Sequence, residues 1–177
     1  MSGRVTKTSN GAVAGIVGLV LQLAGCGADV GAGSAANNGQ TLCLSDFIAC
    51  VNPIYNATMQ NSGGLPVQCA SSGCHELGSG SGGSLRVYPN SVDAGELQIN
   101  FISSLSNANL GAPASSKLLT KPVAGPVGHA GGDIIPDSSD PCYAAILAWV
   151  TNSVVDQADP VACGNCIVPA LASCGYP

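Results

Sequence analysis

Nine cysteines in 177 residues constrain this chain more than any other feature. Cysteine at that density belongs to chains that fold in oxidising compartments, where thiols become crosslinks. Two of the nine limit their own pairing. Cys43 and Cys50 lie in TLCLSDFIACV, where Leu44, Phe47, Ile48 and Val51 recur at helical spacing. Seven residues of helix rise about 10.5 Å, too far for a disulfide, whose Cα atoms lie within about 7 Å of each other. Each therefore has to bond outside its helix, and the tail carrying Cys163, Cys166 and Cys174 is the obvious source of partners. The Cys163-Gly-Asn-Cys166 pair has two other readings, a redox dithiol or half of a metal site. A redox pair needs a helix start after a strand, and Pro160 with its loop-like surroundings argues against one.

The first residues read as an address. Arg4 and Lys7 supply a positive start, and residues 11–25 run without a charge. About fifteen such residues fall short of the roughly twenty a bilayer demands but suit a signal peptide. The stretch ends in Leu23-Ala24-Gly25-Cys26, which resembles the lipobox of bacterial lipoproteins. That resemblance implies cleavage before Cys26 and lipidation of its thiol, which anchors the protein by burying alkyl chains. An ordinary secretory signal and a short core helix are the alternatives. The expected organisation is a signal peptide at 1–25, a flexible tether at 26–40 and one domain at 41–177.

Loss of Arg4 and Lys7 makes the −5 charge of the full chain more negative still and leaves Arg86, Lys117 and Lys121 as the cations besides two histidines. Nucleic acid is excluded as a partner, for want of a basic footprint. Charged residues are 8% of the chain, against about 25% in an average domain, so the surface must be Ser, Asn, Thr and Gly. Aromatic residues are only 4%, which leaves room for something else in the core. GSGSGG at 78–83 has the glycines of a phosphate cradle but no helix signal after it, and reads as a flexible loop.

The chemistry concentrates in Cys69-Ala70-Ser71-Ser72-Gly73-Cys74-His75. The usual attachment site for a c-type haem is Cys-x-x-Cys-His, in which two thiols join the porphyrin and the histidine reaches the iron. The spacing here is two residues longer and resembles the expanded attachment motifs of some bacterial c-type cytochromes. A local Cys69–Cys74 disulfide beside a surface His75 is the competing reading. Downstream come Pro113-Ala114-Ser115-Ser116-Lys117-Leu118-Leu119-Thr120-Lys121-Pro122, then His129-Ala130-Gly131-Gly132, then a segment from Asp140-Pro141-Cys142-Tyr143 to Trp149-Val150. In that order, over roughly residues 43–152, they resemble the monohaem cytochrome c-like domain common in planctomycetes and related bacteria.

The resemblance implies a mainly α fold, a small helical cytochrome c-like domain around one covalent haem, loop-rich and stabilised by disulfides. It implies haem c on Cys69 and Cys74, His75 as proximal ligand, and His129 in the family's His-x-Gly-Gly turn. Setting aside Cys26, Cys69 and Cys74 leaves Cys43, Cys50, Cys142, Cys163, Cys166 and Cys174, an even six for three disulfides. The sixth iron position stays open between His129, Met59 and no protein ligand. Gly131 and Gly132 would let the backbone approach a porphyrin face. The tail from 156 to 177 falls outside the resemblance.

Two helices have their own signals. Asp140 caps a helix with Pro141 in first position and a stripe of Tyr143, Ile146, Leu147, Val150 and Val154. Asp93 with Glu96 starts another, bearing Leu97, Phe101 and Leu105. SLRVY at 84–88 suggests a short strand. The expected function is one-electron transfer by a non-enzymatic lipoprotein of the bacterial envelope, on its periplasmic or surface face, with a redox protein as partner. The alternative is a haem-free, disulfide-rich lipoprotein that binds or scaffolds a partner. A third reading, a haem peroxidase, lacks distal acid–base groups.

Overall fold

The computed structural model describes residues 39–155 and 163–177. The expected signal peptide, Cys26 and nearly all of the tether lie outside the described residues.

Helix α1 is continuous through Leu44–Asp46, a π turn at Phe47–Val51, and Asn52–Asn56. Pro53 explains the widening. It lacks an N–H, and its ring crowds the carbonyl one turn back, so the Asn52 N–H reaches five residues back to Phe47 O. A two-stranded hairpin follows, β1 at Met59–Gln60 against β2 at Pro66–Val67, with Met59 opposite Val67. Helix α2, Ala94–Leu105, starts where the Asp93 carboxylate accepts from Gly95 N and Glu96 N. A 3₁₀ turn at Pro113–Ser115 leads into the single turn α3, Lys117–Thr120. Helix α4, Pro141–Thr151, starts with Asp140 accepting from Cys142 N and Tyr143 N. A 3₁₀ turn at Leu171–Ser173 closes the tail.

Helices occupy about a third of the described residues, too little for a mainly α protein. The rest is loop, and hydrogen bonds and crosslinks organise it. The SLRVY segment shows why strand gives way. Its Arg86 N and Tyr88 N donate to Ser103 Oγ and Asn100 Oδ1 on α2, both at 2.6 Å. Only a single bridge, Val87 with Glu76, remains of the strand pattern.

Four of the seven Phe, Tyr and Trp residues gather in one cluster around Phe47. Phe47 of α1 lies 5.4 Å from Trp149 of α4, 5.7 Å from Phe101 of α2 and 6.1 Å from Tyr55, ring centre to ring centre. These separations suit tilted and edge-on contacts. Trp149 Nε1 donates to Cys43 O at 3.0 Å, so even the indole N–H is satisfied. The buried face of α2 is more polar than its leucine spacing suggests. Asn100 and Ser104 are wholly buried, while Leu97 and Leu105 are half-buried. Asn100 Nδ2 donates to Asn52 Oδ1, Ser91 Oγ and Tyr88 O, and so clamps α1 and the 88–91 segment to α2.

Three disulfides join Cys43 to Cys163, Cys50 to Cys166 and Cys142 to Cys174. Cys43 and Cys50 thus bond outside their own helix, both to the tail, as the helical rise requires. The buried Asp46 carboxylate receives Gly164 N at 2.7 Å and Asn165 N at 3.2 Å. Backbone donors rather than a cation compensate that charge. The second Asp140 oxygen takes Gly175 N at 2.8 Å, which pins the end of the tail to the start of α4.

Candidate functional site

Beside the aromatic cluster lies a cavity of about 660 Å³, within the range of roughly 300–1,000 Å³ usual for ligand pockets. Ile54, Tyr55 and Met59 border it from α1 and β1, Ile146 from α4, and Ile134 and Ile135 from the strand-like segment before α4. Cys69, Cys74, His75 and His129 all reach the same cavity. The structure thus brings together the four site residues the sequence singles out, although 54 residues separate the two histidines. Met59 is also there, almost fully buried.

Cys69 and Cys74 are the free cysteines among the described residues, both half-buried. They carry no mutual bond, so the competing local disulfide is not formed. Their loop is a series of tight turns: Cys74 N bonds Ser71 O at 2.9 Å and His75 N bonds Cys69 O at 3.0 Å. Burial, reinforced by Cys74, pushes the Cys69 thiol up to about 12, so it stays protonated at neutral pH.

The two imidazoles face one another across 6.0 Å between ring centres, with planes 13° apart. His75 Nδ1 lies 2.9 Å from Leu85 O, and His129 Nδ1 lies 2.9 Å from Gly132 O. A carbonyl can only accept, so both Nδ1 atoms carry the proton in the neutral ring and both Nε2 atoms keep their lone pairs. Burial holds His75 below its ordinary pKa, and the neighbouring His129 and Arg86 add to that despite the Leu85 bond. The ring is therefore neutral at pH 7. Neutral imidazole with Nδ1–H anchored to a carbonyl is the form in which histidine ligates a metal.

The number of ligands narrows the metal's surroundings. A zinc site needs about four protein or water ligands. Among the described residues, the one cluster of three candidate ligands is Asp140, Cys142 and Cys174, and its two sulfurs are already bonded to each other. Among the described residues no Cys, Asp or Glu joins the histidine pair in such a cluster. The apolar walls, the two free thiols and the two Nε2 lone pairs at one cavity suit a macrocycle that carries a metal.

Several residues that shape the site lack a local sequence signal. The 78–83 loop does not behave as a loose connector: a Cβ on Gly82 would collide with His75 Nδ1 and come within 2.7 Å of Cys74 O. Arg86 donates its guanidinium to the carbonyls of Glu76 and Gly80, locking the same loop. On the other side, Asn61 accepts from Gly63 N and Leu65 N and donates to Gly131 O, each at 3.0 Å. It ties the hairpin loop to the turn that bears His129. Gly132, with φ +78°, closes that turn in a conformation that favours glycine. Of these, Gly132 was readable with Gly131 as a turn beside His129, whereas Gly82, Arg86 and Asn61 carried no such cue.

Three disulfides are compatible with an oxidising location outside the cytoplasm. No helix among the described residues is long and apolar enough to cross a membrane. No family model matches the chain, and neither a curated protein nor a solved structure is similar enough to it to count as a match.

Proposed function

We propose that this chain is a c-type cytochrome lipoprotein, carrying one haem on Cys69 and Cys74 with His75 and His129 as axial ligands, and passing single electrons in the bacterial envelope. The observation that carries this reading is the histidine pair: two imidazoles 6.0 Å apart, each with Nδ1 bonded to a backbone carbonyl, at a cavity that also holds two unpaired thiols. Cys69 and Cys74 would hold the haem by thioether bonds, each S–H adding across a vinyl group, so attachment would consume no oxidant. When bound, the haem supplies a reversible one-electron change at its iron. The protein's residues do the rest. Leu85 and Gly132 fix the ring tautomers, Ile54, Ile134, Ile135 and Ile146 keep water from the cavity wall, and the crosslinked core limits reorganisation. Cys26 as a lipid anchor completes the reading.

The test is intact mass and absorption of the chain made in cells that mature other c-type cytochromes. One haem per chain should survive acid–acetone extraction, with a low-spin spectrum and no near-infrared band of methionine-to-iron charge transfer. His129→Ala should turn high-spin or take up added imidazole, while Met59→Leu should leave the spectrum unchanged. A mass of polypeptide and lipid alone overturns the reading in favour of a haem-free binding module. A spin change in Met59→Leu alone moves the sixth ligand to Met59. Cys26→Ser should leave the membrane fraction.

A further inference from the structure

The described residues hold three permanent cations, and two of them, Lys117 and Lys121, line the cavity. The third, Arg86, is committed to the carbonyls of Glu76 and Gly80. The two lysines stand four apart, across the single turn of α3 and its C-terminal cap, a spacing that places side chains on one face. Neither meets a carboxylate: no ion pair forms among the described residues, although acids outnumber bases two to one in the chain. Lys121 Nζ makes one long bond, 3.3 Å, to Gly128 O beside the His129 turn, and Lys117 makes none among the described residues. Both lysines are exposed, and among the described residues no carboxylate takes up their charge, which leaves two ammonium groups at the rim of one apolar cavity.

We infer that Lys117 and Lys121 form a carboxylate subsite at the cavity rim, which takes the two propionate groups of the porphyrin. The inference rests on the haem reading and adds the direction in which the group enters. The edge that bears vinyl groups goes to Cys69 and Cys74, and the edge that bears carboxylates goes to α3. Lys121 has a double part, since its bond to Gly128 O also steadies the turn carrying His129.

The full chain with Cys69→Ala and Cys74→Ala takes up porphyrin without thioether bonds, so affinity can be titrated directly. The probes are haemin and haemin dimethyl ester, whose carboxylates are masked. Haemin should bind about three- to tenfold tighter than the ester, the range expected of two partly exposed ion pairs. The preference should shrink as salt rises. Lys117→Gln with Lys121→Gln should remove the preference by weakening haemin and leaving the ester as it was. Equal affinity of the two probes for the lysine-bearing chain overturns the subsite while the haem reading stands. So does a preference that survives the double replacement. Failure of both probes to bind, with three disulfides intact by mass, overturns the haem reading itself.

Discussion

Around α1 and the tail, the chain is fastened by covalent bonds, an aromatic cluster and carboxylates that gather backbone donors. Around the cavity it is fastened by single contacts: one carbonyl for each histidine, one asparagine between two loops, one glycine under a ring. Six cysteines are crosslinked on the first side, and two remain thiols on the second. The difference teaches that the rigid half has no need of a ligand, whereas the loop-built half gathers its chemistry at a cavity it does not fill. A bound group would complete the second half and add little to the first.

The largest effect should come from opening the rigid half. Replacing Cys50 and Cys166 by Ser leaves the Cys43–Cys163 bridge in place, so it opens a ring of only about a dozen residues, worth about 2–3 kcal/mol by chain-entropy arguments. Urea unfolding should record that loss; a change under 1 kcal/mol would mean that the tail is held chiefly by its Asp46 and Asp140 contacts. Gly82→Ala breaks the other half. The new methyl group collides with His75 Nδ1, at a cost of about 1–3 kcal/mol, and displaces the imidazole from Leu85 O. Its imidazole NMR signals should shift while the Trp149 indole signal stays put. Movement of both together would make the two halves one cooperative unit.

Asn61→Ala removes two accepted bonds and one donated bond, for about 2 kcal/mol. Amide exchange should quicken at Gly63 and Leu65 and leave Asn100's neighbours protected; uniform acceleration would erase the distinction. The smallest effect is one of pH. The folded haem-free protein keeps His75 neutral below its ordinary pKa, so in that window the unfolded chain binds more protons and stability falls as pH drops below about 6.5. His75→Gln should flatten that slope. A slope that persists unchanged would place its source in another group.

Legibility followed the range of the interactions. Asp93 and Asp140 were readable as caps because a cap acts within three residues. The refusal of Cys43 and Cys50 to pair was readable because helical rise is a local rule. CASSGCH, His129 and their glycines could be singled out by residue type. Asn100 and Asn61 could not, because their partners lie up to 48 and 70 residues away and an isolated polar residue leaves no periodic mark. The close fit of Gly82 under His75 depends on how the loop returns, and a run of Gly and Ser describes freedom as readily as contact. Helix signals located α2 and α4 correctly, yet the loops between them carry most of the chain. The fold is therefore partly helical where a mainly α domain was expected.

The pairing of Cys43 and Cys50 with residues 120 and 116 positions later sets an order of events. During synthesis from the N-terminus, both thiols emerge long before their partners, and Cys69 and Cys74 emerge next. Eight cysteines admit roughly 105 complete pairings, and every pair open to the first four, apart from Cys43 with Cys50, draws on Cys69 or Cys74. Correct oxidation therefore has to wait for the last fifteen residues, or the two thiols at the cavity have to be occupied first. Loading of the cavity would then act as an editor of disulfide formation, and a cell that delays it should accumulate crosslinks between the first four cysteines of the domain.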